Sequence, residues 1–205
     1  MSATGRRERP TQADRRHRTR EALLAAAARG LSRSGYSNLA LEDVARDAGY
    51  TRGAVYHQFA GKEDLALAVV SWVEESWEAE VGRAAAEETH PVEALLALAR
   101  AHAVYCRRDV ARVMLTLRIE FGGQDHPVGR AVEATGRRIV ADCRHHITAG
   151  RRSGAIPPGP PPRVLAPALV TALEGLTIGV AGQAPFDVAL AERLVYGLLG
   201  LSPSA

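Results

Sequence analysis

The residues with the most legible chemistry lie in one short stretch. Thr51, Arg52, Gly53, Tyr56 and His57 sit at spacings that gather them on one side of a short helix, and Lys62 follows a few residues later. They are not arranged as nucleophile and base. They form a set of hydrogen-bond donors. The planar fork of arginine fits the edge of guanine bidentately, and tyrosine and histidine can donate to phosphate oxygens. Glycine permits close approach of the backbone. A lysine that opens a helix adds its charge to the helix N-terminus, where phosphates bind readily. Recognition of double-stranded nucleic acid is the chemistry implied.

Two further sets invite a different reading. His102 and Cys106 are four residues apart, and Cys143 and His146 are three apart, so each pair can share a helical face. If those faces met, two cysteines and two histidines could hold zinc tetrahedrally. Cysteine on an apolar stripe is more simply core, so no metal is assigned. Glu174 is the only charged residue between Arg163 and Asp187, and Arg118 is set in the apolar run Val113–Phe121. Each is either half of an ion pair or a group that orients a small molecule in a pocket among the middle helices. The candidates to line that pocket are His102, Tyr105, Met114, Arg118, Phe121, His146 and Glu174. The second half of the chain shows no phosphate-binding glycine loop and no nucleophile elbow. No enzyme activity and no cofactor are expected.

The elements that must position these residues are helical throughout, because no stretch alternates with period two for long. A first helix is predicted from about Asp14 to Ser34, with Gly35 as its stop. Short helices follow over about Leu41–Ala48 and Arg52–Phe59, joined by a turn at Gly49, where glycine supplies the left-handed backbone. Thr51 is placed to cap the second of them. A fourth helix begins near Lys62 and runs into the 80s. Further helices are predicted over about Pro91–Arg107, Asp109–Phe121 and from the Pro127 turn to about Thr148 or Arg151. Gly154–Pro162 is a stiff proline loop. Helices over about Val164–Ala181 and Phe186–Leu199 close the chain. The first has an apolar stripe of Leu165, Leu169, Ala172, Leu176 and Val180. The second has Phe186, Leu190, Leu194 and Leu198. Paired with their copies in a second subunit, they would make a four-helix interface about a two-fold axis.

Bulk composition agrees. With 46 % apolar and 24 % charged residues the chain is an ordinary soluble folded protein. No apolar run is long enough to span a bilayer, and the charged N-terminus is not a secretory signal. Two distant cysteines give no disulfide framework, so a cytoplasmic location is expected. The net charge of +3 is unevenly spread. Residues 1–20 hold seven arginines against Glu8 and Asp14. An arm over residues 1–13, disordered alone, would add phosphate contacts beside the reading helix.

The helix-turn-helix stretch also carries a resemblance. Gly35-Tyr36, Glu42-Asp43-Val44-Ala45, the run Ala48 to Phe59 (AGYTRGAVYHQF) and Lys62-Glu63-Asp64-Leu65 resemble the N-terminal domain of the TetR (tetracycline repressor-like) family of transcriptional regulators. The likeness covers residues 20–69, about a quarter of the chain. It implies an all-α protein with a helix-turn-helix domain over 14–61 and a larger ligand-sensing and dimerisation domain over 62–205. It also implies a homodimer on a pseudo-palindromic operator, modulated by a small-molecule effector, with Tyr56 and Lys62 gripping the DNA backbone. One position departs from the pattern. The family usually begins its second helix with Thr or Ser, and here Leu39-Ala40 stands there. Asn38 is the residue nearest to replace that cap. A metal-responsive regulator and an effector-free architectural protein are the alternatives.

Overall fold

The computed structural model describes residues 11–202, and within them every regular element is a helix. Helix α1 (Gln12–Ser34) opens with a reciprocal cap. The Thr11 hydroxyl accepts from the Asp14 backbone N–H, and the Asp14 carboxylate accepts from the Thr11 N–H. The helix therefore starts two residues before the expected Asp14. Residues 11–13 are its cap and first turn rather than part of an arm, and the remainder of the expected arm, residues 1–10, lies outside the described residues.

Helices α2 (Leu41–Asp47) and α3 (Arg52–Gln58) follow, then α4 (Lys62–Trp77). A π-helical turn over Glu78–Gly82 carries α4 into the short α5 (Arg83–Ala86). Next come α6 (Pro91–Tyr105), a 3₁₀ turn (Asp109–Arg112) and α7 (Val113–Phe121). The long α8 (Pro127–Ser153), then α9 (Pro162–Gly179) and α10 (Phe186–Leu199) complete the chain. Proline at the first position suits α6, α8 and α9 alike, since that N–H has no helical partner. Because α9 already starts at Pro162, Pro167 lies inside it.

Two buried apolar clusters organise these helices. One gathers α1, α2 and α3 around Leu23, Leu31, Val44 and Val55, and extends through Leu65 and Val69 of α4 to Leu117 and Phe121 of α7 and Val132 of α8. The second joins α6, α9 and α10 to the later part of α8 through Leu95, Leu96, Ile147, Leu169 and Val195. Each fully buried leucine contributes about 1.5–3 kcal/mol over an exposed one. Helices α1, α2 and α3 thus share their core with α4, α7 and the front of α8.

The terminal helices differ from expectation on one side. Leu165 and Leu169 of α9 are buried in the second cluster, and the exposed line runs through Val164, Ala168, Thr171 and Gly175 instead. On α10, Phe186 and Leu190 are exposed, 66 % and 38 %, and Leu194 and Leu198 are half-buried.

Candidate nucleic-acid interface and effector cavity

Helix α2 ends in a tight left-handed turn that sets the angle of α3. The Tyr50 N–H reaches back to the Ala45 carbonyl (2.8 Å) and the Gly49 N–H to that of Arg46 (3.0 Å), and Gly49 has φ +75°. This is the paired bonding that closes helices on a glycine. Val55 and Phe59 anchor one side of α3 in the core, and Thr51, Arg52, Gly53, Tyr56 and His57 all face out. Thr51 stands at the cap position of α3, but its hydroxyl makes no capping bond and stays exposed. The Arg52 guanidinium rests on Glu42 of α2 (2.9 Å) and the Tyr56 hydroxyl (3.3 Å). Any base or phosphate it meets must compete with that carboxylate. Arg20 of α1 stacks over the Phe59 ring at 4.6 Å and donates to the Gln58 carbonyl.

The start of α2 corrects one expectation. Ala40 is the cap residue and supplies no side-chain bond. Asn38 does not replace it, since its amide donates backwards to the Ser34 carbonyl (3.0 Å) and so finishes α1. Lys62 is also engaged. Its ammonium donates to the Ser37 carbonyl (2.9 Å) and lies 4.8 Å over the Tyr36 ring. On the other side of this loop, the Glu120 carboxylate of α7 accepts from the Tyr36 N–H (2.5 Å), the Ser37 N–H (2.6 Å) and the Ser37 hydroxyl (2.5 Å). Those bonds and the nearby Lys62 charge hold the Glu120 carboxyl below its usual range despite the opposing effect of its partial burial. Gly35 fits here for two reasons: its φ is +75°, and a Cβ would come within 2.6 Å of Glu120.

Two residues before this clamp, α7 turns to an internal cavity of about 60 Å³ where the two apolar clusters meet. Val73 and Trp77 of α4, Tyr105 of α6, Met114 of α7 and Ile139 of α8 supply apolar wall. Each of its charges is paired: Arg118 and Glu174 with one another, and Glu74 with Arg138, which lies outside the wall. The Trp77 indole N–H donates to His102 Nδ1 (3.1 Å). Indole nitrogen can only donate, so Nδ1 is the acceptor and the His102 proton sits on Nε2, which lies 3.6 Å from Cys106 Sγ. Burial pushes the His102 pKa down to about 4, against a weaker opposing pull from Glu174, and pushes the Cys106 thiol up. Both groups are neutral at pH 7.

Residues 23–69 match the model of bacterial regulatory proteins, tetR family. Residues 23–69 thus carry a domain of the tetR family type. The A-factor receptor protein of Streptomyces griseus is 29 % identical over 163 residues, covering 78 % of this chain and 54 % of that protein. The HTH-type transcriptional regulator CymR of Pseudomonas putida is 41 % identical over 68 residues, 33 % of this chain and 34 % of its own length. The chain therefore spans about half or less of these curated relatives. The crystal structure of AibR in complex with isovaleryl coenzyme A and operator DNA shares the fold, with a TM-score of 0.73 at 20 % identity over 90 % of this chain and 100 % of that one.

Five of the seven proposed effector residues line the cavity: His102, Tyr105, Met114, Arg118 and Glu174. Phe121 does not. Its ring stacks on His126 at 4.3 Å and meets Tyr36 edge-on, which makes it part of the clamp's support. His146 lies half-buried on α8 beside His145, away from the cavity wall. The two His–Cys pairs do not assemble. Among the described residues no group of three or more His, Cys, Asp or Glu could hold a metal, and Cys143 is buried in the second cluster with its thiol pushed up to about 12 by burial. Trp77, Thr135 and Ile178 also line the cavity and are not among the residues expected there. Trp77 carries a signal in its buried donor, which needs an acceptor. Apolar residues such as Ile178 carry none.

Proposed function

We propose that the chain is a homodimeric, sequence-specific DNA-binding transcriptional regulator of the cytoplasm. It acts as a repressor, and a small-molecule effector releases it from a pseudo-palindromic operator. The observation that carries this reading is the polarity of α3. Thr51, Arg52, Gly53, Tyr56 and His57 all face outward, while Val55 and Phe59 fix the helix to its core. A helix so mounted enters a major groove with its N-terminal residues on the base edges. In a two-fold dimer, two copies would lie one helical turn apart, about 34 Å. The outward faces of α9 and α10 supply the apolar surface for that dimer.

The cavity supports effector control over the architectural alternative, which needs no cavity. AibR, solved with isovaleryl coenzyme A and operator DNA, offers a precedent within the same fold. Helix α7 joins the two functions. Met114 and Arg118 reach the cavity, and Glu120 holds the loop that leads into α2. An occupant that displaces α7 would shift the reading helices, but only as far as it binds one arrangement better than the other.

Fluorescence anisotropy on a recovered operator tests the reading. Arg52→Ala should cut the preference for the operator over a scrambled duplex about tenfold or more, as for loss of one bidentate base contact worth about 1–3 kcal/mol. An unchanged preference would take α3 out of the groove.

A further inference from the structure

A cleft of about 500 Å³ opens between α1, the 3₁₀ turn and the connection from α9 to α10. Arg29 and Arg33 of α1 face Arg107, Arg108 and Arg112 across it. Three of these guanidiniums are occupied: Arg33 by Asp47 (3.3 Å), Arg107 by Asp187 (2.8 and 3.0 Å), and Arg108 by Glu80 (2.6 Å). Arg29 and Arg112 have no carboxylate partner among the described residues, and Asp109 is the one acid in the cleft wall.

The cleft does not stand alone. Cys106, at the end of α6, lines both it and the internal cavity, so the basic chamber and the apolar one share this side chain as wall. The partition carries no charge, because burial keeps the thiol protonated. The apolar chamber is small. A cavity of about 150 Å³ is what accommodates benzene, so about 60 Å³ admits only a short group unless the walls move. The cleft is within the size range of small-molecule sites. Guanidinium forks suit phosphate, which they can bind bidentately.

We propose that chamber and cleft form one bipartite site for an amphiphile with a short apolar end and a phosphate-bearing head, in which Arg29 and Arg112 receive the phosphates. This rests on the effector reading above and specifies the effector's chemistry. It also gives the head group leverage. Arg29 and Arg33 belong to the helix that carries the reader, and the other three arginines belong to the sensor. These halves already touch where the Ser32 hydroxyl donates to the Asp109 carbonyl (2.6 Å). A polyanion between them draws Arg33 away from Asp47 at the end of α2, so occupancy is felt one turn from the reading helix.

The test uses the full chain and two probes with the same acyl group. Butyryl coenzyme A carries phosphates, and the butyryl thioester of N-acetylcysteamine carries none. Calorimetry should show the first binding at least tenfold more tightly. Combined Arg29→Ala and Arg112→Ala should reduce that advantage to less than threefold, with the affinity for the phosphate-free thioester and the circular-dichroism melt unchanged. Equal affinity for the two probes, or an advantage untouched by the double variant, overturns the bipartite site. In that event, release of operator by the phosphate-free thioester keeps the effector reading in place. An operator complex that neither probe binds or dissociates removes the effector reading and this site together.

Discussion

Lys62 shows how much one side chain can hold. Its ammonium supports the loop carbonyl of Ser37 and the Tyr36 face, and its charge steadies Glu120 across the same loop. A lysine expected only to meet a phosphate thus also shapes the entry to α2. Lys62→Ala should therefore do two things. It should lower the salt slope of operator binding by about 1, and it should cost about 1.5–3 kcal/mol in a denaturant melt, as for loss of a hydrogen bond to a charged group. A phosphate contact alone would give the first change without the second. His102 gives a pH signature. Its pKa is about 4 in the fold and about 6.5 free, so between those values the unfolded chain binds more protons and stability rises with pH. From pH 7 down to pH 5 the chain should lose about 2 kcal/mol on this account. Melts of His102→Gln at the two pH values should show that much less loss than the parent.

At the scale of elements, α7 is the part that connects. Its Arg118 end sits at the cavity and its Glu120 end at the reader. Gly35→Ala should strain a positive φ and push on Glu120, costing about 1–3 kcal/mol and weakening operator binding with α3 untouched. A thermal melt with parallel anisotropy would read both effects. Much of this level was legible in sequence. The bounds of α2, α3 and α10 follow from Gly49, from the apolar spacing and from the run after Pro185, because each has a local stop or start. Three features were not. The reciprocal cap of Thr11 and Asp14 begins α1 early, since a Thr–Asp cap is less distinctive than the usual partner with Glu or Gln. The exposed face of α9 was misplaced because that helix is apolar nearly all round, so period alone cannot choose a side. Asn38 looked like a cap for α2 and instead serves α1, a choice decided by the backbone direction of the loop.

The whole molecule adds what no single helix shows. The cavity draws on α4, α6, α7, α8 and α9, and apart from Met114 only charged or polar members of its wall carry a sequence signal. Arg118 and Glu174 are each legible as charges set in apolar runs, but that they face each other is a matter of tertiary packing. The dimer belongs to this scale as well. Phe186→Asp with Leu190→Asp should shift the chain from dimer to monomer in sedimentation, with helical content unchanged, and should abolish tight operator binding. A dimer that survives both changes would place the interface elsewhere. In the proposed dimer, two copies of α3 read DNA one helical turn apart. Selection of bound duplexes from a random pool by the full chain tests it most directly. Enrichment of a pseudo-palindrome with half-sites centred about 10 base pairs apart, or a multiple of that, is expected, with loss of the enrichment in the Arg52→Ala chain. Recovery of sequences with no shared half-site, or the same enrichment from both chains, would contradict it.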